Sequence, residues 1–121
     1  MSASINTLWA ATLNSMRGLS CGIRTERAVR QEVAVVVAAV PLGAMIAPTI
    51  GWYVAMIGAL LILLAVEFLN TAIEKLADRV TRDHDPAIGR VKDFGSAAVF
   101  CMLCLTALVW GAALAVRIHW F

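Results

Sequence analysis

Charge is what this sequence of 121 residues most lacks. No Asp, Glu, Lys or Arg occurs over 33–66, a run of 34 residues, or over 94–116, a run of 23. Charged residues amount to 15% of the chain, against about 25% in a typical soluble domain. A soluble domain of this size buries only about two-thirds of its unfolded surface. It could not enclose a chain that is 61% apolar with mean hydropathy +0.83. The composition excludes a soluble core and places one domain, 1–121, in a bilayer. Other absences narrow the reading further. The net charge of +2 is too small to point to a nucleic-acid partner. Cys21, Cys101 and Cys104 are an odd set, which argues against a disulfide framework. No GxxxxGK[ST] phosphate loop and no HRD or DFG signature occurs, so a nucleotide would have to be held through metal and basic side chains. Repeats and low-complexity linkers are also missing. The first apolar run follows a charged segment of 32 residues, which does not fit an ordinary signal peptide.

The uncharged run over 33–66, built as one helix, would be about 51 Å long against a hydrocarbon core of about 30 Å. It must fold back once. Pro48-Thr49-Ile50-Gly51 is the expected break, because Pro disrupts a helix and Gly accepts turn geometry. The expected architecture is all-α. A surface helix over 4–25 precedes transmembrane spans at about 28–48, about 52–80 with a cytoplasmic extension, and about 91–117. The surface helix is amphipathic, with Leu8, Trp9, Leu13 and Met16 recurring at helical spacing and Asn14, Ser15 and Arg17 opposite. Pro41 falls inside the first span, where a membrane helix tolerates it. Trp52, Tyr53, Trp120 and Phe121 suit the water–lipid interface.

Basic residues set the orientation. Arg17, Arg24, Arg27 and Arg30 precede the first span, and Lys75, Arg79, Arg82, Arg90 and Lys92 lie between the second and third. The turn at 48–51 has none and the C-terminal tail has only Arg117. The N-terminus and the 70–93 connection are therefore expected in the cytoplasm and the C-terminus outside.

The informative stretch is Val66-Glu67-Phe68-Leu69-Asn70-Thr71-Ala72-Ile73-Glu74-Lys75-Leu76-Ala77-Asp78-Arg79. Glu67 directly follows an apolar run, at or just inside the membrane boundary. An unpaired carboxylate there costs about 2 kcal/mol or more, which makes it a functional candidate. Offsets of 0, +3, +7 and +11 put Glu67, Asn70, Glu74 and Asp78 on one helical face. Such a stripe suits divalent-metal binding and proton transfer, since Mg²⁺ takes one or two carboxylates together with substrate phosphates. The plainer reading is a solvated helix end in which Asp78 pairs with Arg82 at i,i+4. Two further clusters share the compartment, Arg24 to Glu32 and Gly89 to Ser96. Their basic residues also serve as topology signals or lipid-headgroup contacts. Cys101-Met102-Leu103-Cys104 lies mid-span and is expected to pack, and His84 in Asp83-His84-Asp85-Pro86 reads as a turn residue.

At these residues the chain resembles the prokaryotic diacylglycerol kinase family of small integral-membrane kinases. Three motifs carry the resemblance: Glu26 with Arg30-Gln31-Glu32, then Val66 to Glu74, then Lys92-Asp93-Phe94-Gly95-Ser96-Ala97-Ala98. Each is weak alone and together they are specific. The resemblance spans the chain from about residue 14 onward. It implies a homotrimeric helical bundle with shared active sites in the bacterial inner membrane. The implied reaction moves the γ-phosphate of ATP to diacylglycerol, giving phosphatidic acid, with Mg²⁺ as the divalent metal. Glu67 would be the catalytic base, and Glu26 and Glu74 the metal ligands. ATP would be held by Glu26, Asn70, Glu74, Asp83, His84, Asp85, Lys92 and Asp93, and the lipid by Arg30, Gln31, Glu32, Glu67 and Ser96. Family members often carry an Arg and an aromatic in the surface helix, but the matching positions, near Thr7 and Asn14, have neither.

Three alternatives stand beside this reading. An undecaprenol kinase of the same family would differ only in its acceptor. A small multidrug-type transporter also uses a membrane Glu, but mid-span and with four spans. A non-enzymatic assembly protein would not need the acids at Glu67, Glu74 and Asp78.

Overall fold

The computed structural model describes residues 2–120. Phe121, expected at the interface beside Trp120, lies outside them. Four helices follow one another: α1 (Ser2–Thr25), α2 (Arg27–Ile46), α3 (Ile50–Val80) and α4 (Pro86–Arg117). The last three are long and apolar enough to cross a membrane. The all-α architecture of one surface helix and three candidate spans is as expected.

Caps set the starts of the last two helices. Gly51 makes no turn. Thr49, in extended conformation, accepts a hydrogen bond from the Trp52 amide at 3.3 Å, so α3 starts at Ile50 with Gly51 in its first turn. The break is Ala47-Pro48-Thr49. At the other end of the chain, α4 begins at Pro86 rather than about 91. The Asp85 carboxylate accepts from the Ala87 and Ile88 amides at 2.8 and 3.2 Å, and Pro86 takes the first helical position, where no amide hydrogen is needed. Pro41 sits within an unbroken α2.

Small residues let the backbones approach, as is usual between membrane helices. Ala39 of α2 packs with Leu60 and Leu63 of α3, and Val36, Ile57, Val99, Met102 and Trp110 close around them. Gly43 faces the rings of Tyr53 and Trp110. In a bilayer each polar hydrogen needs a partner within the protein. The Trp110 indole accordingly donates to the Met56 carbonyl at 3.1 Å, and the Tyr53 hydroxyl to the Val40 carbonyl at 3.0 Å. These bonds tie α4 to α3 and α3 to α2. Cys101 and Cys104, expected to pack, are both exposed and free on the outer face of α4.

The helix α1 keeps its apolar stripe, Ile5, Leu8, Trp9, Leu13 and Met16, exposed, as a helix lying on a lipid surface requires. It is anchored at its C-terminus. Gly22 is buried against the Phe68 ring of α3, where a β-carbon would come within 2.5 Å of that ring. Arg30 donates to the carbonyls of Ile23 and Arg24, both at 3.2 Å. It thereby satisfies groups that the end of α1 leaves open.

Candidate active site

One residue, Glu26, separates α1 from α2. Its backbone is extended, its amide bonds the Gly22 carbonyl at 2.9 Å, and its carbonyl accepts from the Arg30 amide at 3.1 Å. Its side chain makes no cap bond, which leaves the carboxylate free to point at α3. There Lys75 Nζ meets Glu26 Oε1 at 2.8 Å.

Glu67 and Asn70 are the buried polar residues of the chain's described part, each 8% exposed. Both lie on α3 just past the apolar run. Asn70 Nδ2 donates to Glu74 Oε1 at 3.3 Å, so three members of the expected stripe are linked or adjacent. The Glu74 and Glu26 carboxylates lie within electrostatic reach of Glu67, and Glu67 within reach of Glu32. Four acids from α2, α3 and the α1–α2 junction thus converge. The fourth stripe member behaves differently. Asp78 accepts from Lys92 Nζ of α4 at 2.6 Å, and this cross-helix pair, not Arg82, is its partner.

Among the described residues, no three His, Cys, Asp or Glu side chains close on a point where a metal would sit. The donor set nevertheless fits a partial site for a hard cation. Asn70 Oδ1 and Glu32 Oε2 are buried without a hydrogen-bond partner among the described residues, and the same cluster holds the half-buried Glu26 and the exposed Glu74. Mg²⁺ keeps several waters and is commonly completed by substrate phosphates, so one or two carboxylates suffice.

The other residues singled out from the sequence divide. Lys92 reaches the α3 stripe through Asp78, whereas Asp93 and Ser96 are exposed on α4. Asp83 and His84 lie exposed in the short α3–α4 connection, and Asp85 is engaged as the α4 cap. Gln31 is exposed and Arg30 serves the end of α1. Two contributors were missed. Gly95 is buried against Asn70 so closely that a β-carbon would collide with Oδ1. A Gly in a helix often marks close approach, and this is the signal for its role. Lys75, in the sequence only one of several basic residues that set the topology, is the second.

An apolar groove of about 470 Å³ runs between α2, α3 and α4. Val35, Leu42, Leu60, Leu103 and Trp110 help to line it, and Glu32 is its charged residue, at the N-terminal end of α2. The groove therefore opens toward the acidic cluster.

Comparison with known proteins places the chain in a family. Residues 13–114 match the prokaryotic diacylglycerol kinase family. A diacylglycerol kinase of Haemophilus influenzae is 36% identical over 104 residues, covering 86% of this chain and 88% of that protein. One of Pseudomonas aeruginosa is also 36% identical over 104 residues, with 86% and 85% covered. The diacylglycerol kinase of Escherichia coli K12 is 33% identical over 96 residues, 79% of each chain. With the family match covering the first two candidate spans, most of the third and every member of the acidic cluster, the chain belongs to the prokaryotic diacylglycerol kinase family.

Proposed function

We propose that this chain transfers the γ-phosphate of ATP to the primary hydroxyl of diacylglycerol, releasing ADP and phosphatidic acid at the cytoplasmic face of the bacterial inner membrane. Membership of a kinase family supports ATP as co-substrate. The observation that carries the reading is the place of Glu67. It is a buried carboxylate at the end of an apolar run, in reach of three other acids, one of which, Glu32, lines a lipid-sized groove.

In the proposed step, Glu67 accepts the proton of the lipid hydroxyl as its oxygen attacks the γ-phosphorus. The bond from that phosphorus to the β-phosphate oxygen breaks, and ADP leaves with the electron pair. Glu26 and Glu74 would hold the divalent metal, which when bound neutralises charge on the phosphates. Asn70 steadies Glu74, with Gly95 admitting α4 close behind it. Lys92, near the same stripe, offers positive charge to the polyphosphate, and Asp83, His84, Asp85 and Asp93 lie on its approach from water. Glu32 and the groove receive the lipid, with Arg30, Gln31 and Ser96 at headgroup depth. Three helices enclose little by themselves, which favours a homotrimer with sites shared between protomers. The basic residues near 17–30 and 75–92 support a cytoplasmic N-terminus and a periplasmic C-terminus.

The test is a [γ-³²P]ATP assay of the purified protein in mixed micelles, with diacylglycerol and undecaprenol offered separately. Labelled phosphatidic acid is expected. Label on undecaprenol alone would move the chain to the polyprenol acceptor, and label on neither lipid would refute the reading.

A further inference from the structure

We infer that Lys75 is a positioning residue: its ammonium holds the Glu26 carboxylate where a divalent cation would bind, and is displaced when that cation arrives. This rests on the proposed reading of Glu26 as a metal ligand. The geometry is specific. Two ion pairs join helices among the described residues, and the Lys75–Glu26 pair is the one that enters the cluster around Glu67. Nζ and Oε1 are 2.8 Å apart. Glu26 has the less freedom to withdraw, because its backbone is fixed at the α1–α2 junction by bonds to Gly22 and Arg30 and its shorter side chain is mostly covered. Lys75 has more. Its side chain is 67% exposed on a four-carbon stem, while that of Glu26 is 25% exposed.

An ammonium and a dication repel each other and compete for the same carboxylate. Binding of the cation therefore requires that the ion pair be given up. Exposed pairs are weak, and their usual strength corresponds to roughly two- to fivefold in an equilibrium constant. The bridge thus compensates the acidic cluster while no nucleotide is bound, yet is weak enough for a metal–nucleotide complex to open. A purely structural bridge between the α1–α2 junction and α3 makes a different prediction. Its removal would loosen the junction and leave cation affinity unchanged or lower.

The experiment titrates the full chain in detergent micelles with Mn²⁺ alone, without nucleotide, and reads free Mn²⁺ by electron paramagnetic resonance. Lys75→Met and Lys75→Gln are each expected to lower the Mn²⁺ Kd roughly two- to fivefold. Lys75→Arg, which keeps a cation on Glu26, should stay near the parent value. Arg79→Met removes the same charge one turn further along α3 and should have the smaller effect. The inference is overturned if both neutral Lys75 variants bind Mn²⁺ no more tightly than the parent, or if Arg79→Met tightens binding as much. Glu26→Gln separates the two levels of the argument. If it weakens Mn²⁺ binding while the Lys75 variants do nothing, the metal site stands and only the role of Lys75 fails. If it changes nothing, or the parent binds no Mn²⁺, the metal assignment of Glu26 fails and the inference with it.

Discussion

Glu67→Gln is the most direct challenge to the proposed chemistry. The substitution keeps the size of the side chain and most of its hydrogen-bonding capacity but removes the proton acceptor. Glu67 is 8% exposed, follows 17 uncharged residues of α3, and faces the charges of Glu74, Glu26 and Glu32. A general base typically contributes 10²- to 10⁴-fold to turnover, or about 3–5 kcal/mol of barrier. The kcat on diacylglycerol should therefore fall by about 10²-fold or more, while the KM for ATP changes little because the nucleotide end of the stripe is untouched. Stability should move the other way. Removing a boundary carboxylate relieves about 2 kcal/mol or more of desolvation and ends its repulsion with three neighbouring acids. The measurements are steady-state kinetics in mixed micelles and thermal unfolding of the detergent-solubilised protein. A variant with near-normal turnover would show Glu67 to be structural and the proposed mechanism wrong. A variant that is inactive and also less stable would refute the claim that the carboxylate is a cost to the fold.

The remaining predictions address metal, packing and topology. Glu26→Gln and Glu74→Gln should each raise the Mg²⁺ concentration needed for half-maximal activity, with the size-exclusion profile unchanged; an unaltered Mg²⁺ response in both would end the ligand assignment. Gly95→Ala places a methyl group against Asn70 and should cost about 1–3 kcal/mol of stability, seen as a lower Tm; a Tm equal to or above that of the parent would show the α3–α4 contact to be loose. A reporter fused to the C-terminus should be active only outside the cytoplasm; cytoplasmic activity would invert the orientation.

Much of this molecule can be read from where charge is missing. The two uncharged runs locate the spans, and the length of the first requires a fold-back near Pro48. The helical offsets of Glu67, Asn70 and Glu74 predict their shared face, and the Asn70–Glu74 bond is a local consequence of i,i+4 geometry. The helix starts are legible as well, since Thr49, and Asp85 before Pro86, are ordinary cap signals. What could not be read is pairing between distant segments. Lys75 lies 49 positions from Glu26, Trp110 54 from Met56, and Lys92 14 from Asp78. No local pattern encodes these separations. Asp78 is the instructive case, because Arg82 at i+4 satisfied the local rule while α4 supplied a nearer ammonium.

In the proposed mechanism, the continuity of α3 lets one helix serve both a lipid and a nucleotide. Its 31 residues make a rod of about 46 Å, some 16 Å longer than a hydrocarbon core of about 30 Å. Glu67 stands about 25 Å along that rod from Ile50, near the far edge of the core, and Glu74 about 10 Å beyond it. On the proposed reading, the two carboxylates would meet a headgroup hydroxyl and a polyphosphate in water. With no Gly or Pro between them, the helix fixes that separation. A loop at this level would leave backbone groups unsatisfied close to lipid, so an uninterrupted helix is the economical scaffold. The junction at Glu26 completes it. By ending α1 with a single extended residue, the chain brings a third carboxylate to the same height from the surface side, where an entering nucleotide would meet it.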